Sequence, residues 1–499
     1  MGLRVAFLAA ECEPWAKTGG LADVVDALAR ALGHPDIDGV DGPVDVFLPR
    51  YRGVPDLEPS AILGQARLAV PDPRARTGSS AVTIVDVAAN GYRLRLVDHP
   101  PAFDREGFYG DAAGDYVDNA WRFGLYCRAA LEALRADGRP VDVLHLHDWQ
   151  AGPIAILRKE RFDDDPIIGP AALVTTLHNL AYHGWTDNAA LPQLGLRPGG
   201  AAPGQNADGV DLLAAGIEAA EIVNTVSPTY AREALTPAFG MGLDGLLRRR
   251  GDRFIGILNG LDDTVWDPAT DRDLAAPFSR DDLAGKATCR ADLLGQVGFD
   301  PADDRPVIGM IGRLDPQKGF DLLADATPGL LAAGGRVIVQ GTGHPSLADA
   351  FRSLAAASPD RVALVERFDR VLARKIYAGA DSFAMPSRFE PCGQGQMIAL
   401  RYGTPPIVHR TGGLADTVID ETADPGKGTG FVFDRETPSS LVEACRRAFA
   451  LRASGGAAWK GLVERGMAVD FGWVTGSAPR YVEAYRRAVT IRGEERATR

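Results

Sequence analysis

Cysteine is scarce in this chain of 499 residues, with five in all, at Cys12, Cys127, Cys289, Cys392 and Cys445. Their number is odd, they are scattered, and no Cys-x-x-Cys pair occurs. This excludes a disulfide framework or a zinc knuckle and points to a reducing compartment. Positive charge is also short, 54 Lys and Arg against 66 Asp and Glu, a formal net charge of -12. A nucleic-acid binder needs a basic face, and this balance gives no support for one. Long apolar runs are missing too, so no segment spans a bilayer. The opening stretch Leu3–Ala10 is too short for a signal sequence and reads as a buried first strand, with the cytoplasm as the expected location. Two nucleotide motifs are absent: Gly-x-Gly-x-x-Gly after the first strand, and Gly-x-x-x-x-Gly-Lys-Ser/Thr anywhere. A nicotinamide-dependent dehydrogenase and a P-loop NTPase are therefore disfavoured.

What is present is an alternation. The run Leu3–Ala10 leads into a Gly-bearing loop at Lys17–Gly20, after which Leu21, Val24, Val25, Leu28 and Leu32 recur at helical spacing. Further apolar runs follow at Val44–Leu48, Val141–Leu146, Leu173–Leu177, Ile222–Val226 and Phe254–Leu258, with a helical stretch at Trp121–Leu134 between them. A second series begins near Pro306, with strands expected at Val307–Ile311, Arg336–Gln340, Val362–Val365, Ser382–Met385 and Pro406–Val408. Helices are expected there at Phe320–Leu331, Val371–Ala378 and Gln394–Tyr402. Strands alternating with helices imply an α/β fold of two doubly wound parallel-sheet domains. The expected division is 1–258, with an insertion at about 55–113, then 259–480, and a helical tail 481–499 that returns to the first domain. The linker is expected around Asn259–Phe278, where Asn, Asp, Pro and Gly cluster.

Both halves carry the same short sequence. Lys17-Thr-Gly-Gly-Leu-Ala-Asp-Val-Val reappears as Arg410-Thr-Gly-Gly-Leu-Ala-Asp-Thr-Val. Two readings are open: a pair of similar strand-to-helix turns, or two anion-binding loops in which glycines let the backbone approach phosphate oxygens. The segment Gly309-Met-Ile-Gly-Arg-Leu-Asp-Pro-Gln-Lys-Gly-Phe delivers Arg313 and Lys318 to a loop that opens a helix. It is either a surface loop with solvated cations or a diphosphate clamp. In Pro386-Ser-Arg-Phe-Glu-Pro-Cys-Gly-Gln-Gly-Gln, Glu390 follows a strand and the Gly393–Gly395 amides precede a helix. That carboxylate is either one favoured by a helix start or one that faces a ligand; Cys392 reads as a small buried filler. Two histidine loops, His145-Leu-His-Asp-Trp-Gln and Thr176-Leu-His-Asn-Leu-Ala-Tyr-His-Gly, end strands in the first half. Their polar groups suit sugar hydroxyls and Trp149 suits a pyranose face, whereas the spacing matches no metal signature.

These motifs resemble the bacterial glycogen synthases and plant starch synthases over essentially the whole chain. Asp115–Phe123, Thr225–Arg232, Gly242–Leu247 and Gly256–Asp262 also look like that family. The resemblance implies a GT-B fold, two Rossmann-like domains with a deep cleft between them, and glucosyl transfer from ADP-glucose to an α-glucan with retention and without a metal or other cofactor. Carried over residue by residue, it implies that Lys17, Gly19 and Gly20 contact the donor phosphates, with Asp23 positioning the loop. Arg313 and Lys318 would hold the diphosphate, and Cys392, Gly393, Gln394 and Gly395 would cap the distal phosphate. Phe368 would face the adenine, His178 the transferred glucose, and Glu390 its hydroxyls and developing positive charge; Asp148, Trp149 and Asn179 would lie towards the acceptor. With Glu390 the one convincing carboxylate, front-face attack is expected, the departing phosphate taking the acceptor's proton. Two departures from the family pattern stand out: Gln150 where histidine is common, and Gln394-Gly395 where Leu-Thr is common. The rival readings are another GT-B transferase or epimerase using UDP- or GDP-sugars, and a catalytically degenerate glucan-binding protein.

Overall fold

The aliphatic runs pack as strands of two separate sheets in the computed structural model, which describes residues 2–194 and 202–498. One unit comprises Met1–Val226, Ala231–Gly260 and Trp473–Arg499; the other comprises Ser227–Tyr230 and Leu261–Gly472.

In the first unit the strands are β1 (Val5–Leu8), β2 (Val44–Pro49), β3 (Ile62–Pro71), β4 (Ser79–Ala88), β5 (Tyr92–Asp98), β6 (Val143–His147), β7 (Ala172–Leu177), β8 (Ile222–Thr225) and β9 (Phe254–Gly256). They lie in the order β9-β8-β7-β6-β1-β2-β5-β4-β3. Every pairing from β9 to β5 is parallel, and β5-β4-β3 is antiparallel. The segment expected as an insertion therefore extends the same sheet: β5 belongs to the parallel core, and β4 and β3 fold back along its edge. Helix α1 (Gly20–Leu32) follows β1 and α2 (Asn119–Ala136) precedes β6, each burying an apolar face. β1, β2, β6 and β7 are buried throughout, as strands covered on both faces must be.

The second unit carries β10 (Val307–Ile311), β11 (Arg336–Gln340), β12 (Val362–Val365), β13 (Ser382–Met385), β14 (Pro406–His409) and β15 (Phe431–Phe433), ordered β12-β11-β10-β13-β14-β15 and all parallel. This is the doubly wound order 3-2-1-4-5-6, whose ligand crevice lies where the order reverses, outside the carboxyl ends of the strands. Here that point falls between β10 and β13. In the first unit it falls between β1 and β6. Helices α3 (Phe320–Ala332), α4 (Arg370–Gly379), α5 (Gly395–Arg401), α6 (Gly412–Thr417) and α7 (Pro438–Ser454) complete the second unit's layers.

The expected linker and the start of the C-terminal return differ from expectation. The segment after Asn259 is no free linker: Leu261 onwards belongs to the second unit. Trp266 packs edge-on to Tyr377 and Tyr402, and Asp271 makes a 2.6 Å buried ion pair with Arg374. Clustered Asn, Asp, Pro and Gly marked turns but hid these anchors. The return to the first unit begins at Trp473 rather than Tyr481, and helix α8 (Ala478–Ala497) buries Tyr481 and Tyr485 against that unit. Arg499 lies outside the described residues. All five cysteines are free and buried, and no described helix is long and apolar enough to cross a membrane.

Candidate active site

The loop after β1 is organised by Glu11, a residue that the sequence reading did not single out. Its carboxylate, 4 % exposed, accepts from the Thr18 amide and hydroxyl at 2.6 Å each, from the Gly19 amide at 3.0 Å and from the Tyr109 hydroxyl at 2.7 Å. The Gly19 N–H is therefore committed to Glu11, and any backbone contact to an anion falls to Gly20. Neither glycine is required by the protein itself, since a Cβ on Gly19 or Gly20 would meet nothing within 4 Å. Open space in front of the backbone is what a ligand needs for close approach. Lys17 stands beside it, 2.6 Å from Asp23 and 3.3 Å from Glu13. Burial works against its ammonium, but the two carboxylates outweigh that and raise its pKa.

The second copy of the loop does something else. Gly412 has φ +43°, a Cβ there would overlap the Glu390 carbonyl oxygen, and one on Gly413 would overlap the backbone of Cys392. The Gly413 amide donates to the Glu390 carbonyl at 3.1 Å. Asp416, the counterpart of Asp23, accepts from the Thr229 amide and hydroxyl at 2.7 and 2.6 Å. One copy leaves its glycines open; the other uses them to pack against the segment that bears Glu390.

That segment leaves β13 at the reversal point. Glu390 is 5 % exposed, and its two carboxylate oxygens lie 2.9 and 2.7 Å from Lys318 Nζ, with the Ser387 hydroxyl donating at 3.1 Å. The structure thus joins Lys318 and Glu390, which the sequence reading had treated as separate contacts. Arg388 ties the two loops together: its amide donates to the Gln317 carbonyl at 2.9 Å, and its guanidinium grips Asp321 at 2.9 and 2.7 Å and the Pro316 carbonyl. Arg313 is exposed, with Asp315 at 3.5 Å. Phe368 is 86 % exposed in the loop between β12 and α4, a large apolar face turned to solvent. Cys392 is buried, as expected of a filler; Gly393 has φ +74°, and Gln394 and Gly395 begin α5.

In the first unit, Asp148 ends β6 with φ 57° and ψ -169°. This region belongs essentially to glycine, and a non-glycine residue there costs on the order of 1–3 kcal/mol. It is held by its amide, which donates to the Thr176 carbonyl at 3.1 Å, and by its carboxylate, which accepts from the His178 amide at 2.7 Å. Asp148, His178 and Asn179 are thereby brought together on one corner. Trp149 packs edge-on to Phe123, and Gln150 is buried with its Oε1 unpartnered. Burial pushes the Asp148 carboxyl up to about 7, although the His178 and Asn179 amides favour its anion, and pushes His178 down to about 3. Protonating Asp148 removes the charge that strengthens its bonds to these amides and so loosens the corner. Activity should therefore fall as pH drops through about 7, and Asp148→Asn should flatten that acid limb in a pH–rate profile. Among the described residues no group of three or more His, Cys, Asp or Glu is placed to hold a metal ion.

Residues 4–249 match the family model described as starch synthase catalytic domain, and 305–450 that of glycosyl transferases group 1. A glycogen synthase of Anaeromyxobacter dehalogenans is 44 % identical over 97 % of this chain and 99 % of its own length. The chain belongs to the glycogen and starch synthase family. It is a glycosyltransferase. A glycogen synthase of Syntrophotalea carbinolica is 42 % identical over 98 % of this chain and 99 % of its own length. Among solved structures, the catalytic domain of starch synthase IV from Arabidopsis thaliana, bound to ADP and acarbose, superposes with a TM-score of 0.86 at 35 % identity, covering 98 % of this chain and all of that one. The family's fold is GT-B, and the two doubly wound sheets described above are its two Rossmann-like domains.

Proposed function

We propose that this chain transfers glucose from ADP-glucose to the non-reducing end of an α-1,4-glucan with retention of configuration. The observation that carries the reading is the Lys318–Glu390 pair at the reversal point of the second sheet, in a chain of this family whose structural relative holds ADP. Breaking a glycosyl–phosphate bond builds positive charge on the sugar and negative charge on the diphosphate. An ammonium has three donors; Lys318 directs bonds to both Glu390 oxygens, which leaves donor capacity for phosphate. Arg313, Lys318 and Lys17 supply the cations that stabilise the leaving group, and no metal or other cofactor is invoked. Glu390 stabilises the positive sugar, and His178 bonds its hydroxyls. Gly20, Gly393, Gln394 and Gly395 offer backbone around the phosphates, Phe368 faces the adenine, and Asp148, Trp149 and Asn179 receive the acceptor. The departing phosphate oxygen takes the acceptor's proton, so a second catalytic carboxylate is not needed. The enzyme acts in the cytoplasm on a soluble donor and a glucan, without nucleic acid or membrane.

The test is incorporation of labelled glucose into glycogen from ADP-, UDP- and GDP-glucose in parallel, followed by digestion with an exo-acting β-amylase. Label that comes chiefly from ADP-glucose and is released by the exo-enzyme supports the reading. Preference for UDP- or GDP-glucose, or label resistant to exo-digestion, contradicts it.

A further inference from the structure

Three imidazoles stand together along β6 and just beyond β7, with His145 and His147 buried and His178 partly exposed, and only His178 has a part in the proposed reaction. The proton on His145 can be located from its neighbours. The Thr176 hydroxyl donates to Asn224 Oδ1 at 2.8 Å, and Asn224 Nδ2 donates to the Tyr481 hydroxyl at 3.1 Å. With its one proton committed, the Thr176 oxygen accepts from His145 Nε2, 2.6 Å away, and His145 Nδ1 accepts from the Tyr485 hydroxyl at 2.9 Å. His145 is thus a neutral Nε2–H imidazole, fixed from both sides.

His147 packs at a tilt against that ring, 4.1 Å between centroids, with Phe7 at 5.0 Å, and makes a hydrogen bond on one side only. Its Nδ1 lies 3.0 Å from His178 Nε2, while its own Nε2 is buried and meets no protein partner among the described residues. A neutral imidazole carries one N–H, and a buried N–H without an acceptor is the rarer orphan. The proton of His147 therefore belongs on Nδ1, pointing at His178 Nε2.

We propose that His147 is a positioning residue: its Nδ1–H donates to His178 Nε2, orients that ring and fixes it as the Nδ1–H tautomer, which offers a hydrogen-bond donor to the transferred glucose. This rests on the reading of His178 as the sugar contact. Burial holds all three rings neutral, with His145 and His147 well below the ordinary histidine value. What the surroundings set is the position of a proton rather than a charge.

An asparagine amide nitrogen reaches roughly the position of a histidine Nδ1, so His147→Asn keeps the donor and His147→Leu removes it. His147→Asn should retain kcat within about 3-fold, while His147→Leu should lose about 30-fold or more, since small misplacements of a reacting group are costly. The KM for ADP-glucose should stay within about twofold in both, because binding of the nucleotide is untouched. Equal losses in the two variants, or full kcat in His147→Leu, would overturn the inference. Should His147→Leu fail to fold, ring-15N NMR of the wild-type chain decides: the His178 signals, assigned by their loss in His178→Ala, should show a protonated Nδ1 and a bare Nε2. The reverse pattern overturns the inference. Undiminished turnover in His178→Ala would instead remove the reading of His178 as the sugar contact, and the NMR pattern alone would then judge the tautomer.

Discussion

Glu390→Gln should lower kcat by about 10³-fold while the protein stays folded, the upper range for removing one preorganised electrostatic group from an active site. The amide keeps the size of the side chain and one oxygen to accept from Lys318, while the second of the two lysine bonds is lost. What disappears is the charge facing the positive sugar. Lys318 is about one-third exposed and remains solvated when its partner is neutralised, so stability should change by about 1 kcal/mol or less. The KM for ADP-glucose should change little, because the diphosphate cations remain. Near-normal kcat in this variant would remove Glu390 from the mechanism.

The two copies of Thr-Gly-Gly-Leu-Ala-Asp give the second large effect, and it is a contrast. Gly20→Ala places a methyl in open space at the start of α1. Alanine is also a better helix residue than glycine by about 1 kcal/mol at interior positions, so the melting temperature should hold or rise. The methyl occupies the approach of the donor phosphates, and the KM for ADP-glucose should rise about tenfold, the equivalent of about 1.4 kcal/mol of lost binding. Gly413→Ala, at the matching position of the second copy, drives a methyl into the backbone of Cys392. Overpacking of this kind costs about 1–3 kcal/mol and occasionally more. It should lower the melting temperature and, by shifting the segment that carries Glu390, lower kcat with it. Thermal unfolding and donor kinetics on the two variants separate these outcomes. If Gly20→Ala melted early or Gly413→Ala were silent, the division of labour between the copies would be wrong.

That division was out of reach of the sequence, where the two copies differ by one residue on either side of identical cores. What distinguishes them is tertiary: whether another backbone crosses in front of the glycines. The same limit hid Glu11, whose bonds to Thr18, Gly19 and Tyr109 join residues up to 98 positions apart, and the Lys318–Glu390 pair across 72. A carboxylate at the end of the first strand is the one signal the sequence carries for Glu11. The strands of both sheet cores were legible, because a strand buried on both faces is a near-continuous apolar run. β15, with only Phe431-Val-Phe, was too short to stand out, and the long edge strand β3 is largely exposed. The helices were legible where the apolar stripe is strong, as in α1. α7, with charged and polar residues spread around it, was missed. The segment after Asn259 was misread because turn-forming residues dominate its composition, while Trp266 and Asp271 anchor it. Motif order made the family legible; packing and hydrogen-bond partners made the site.

The most direct test of the account is the release of ADP from ADP-glucose by the purified chain, measured with and without glycogen, alongside glucose incorporated into the polymer. The account predicts slow release without glycogen, saturable stimulation by it, and one ADP released for each glucose incorporated. Release that ignores glycogen, or that runs ahead of incorporation, would contradict it.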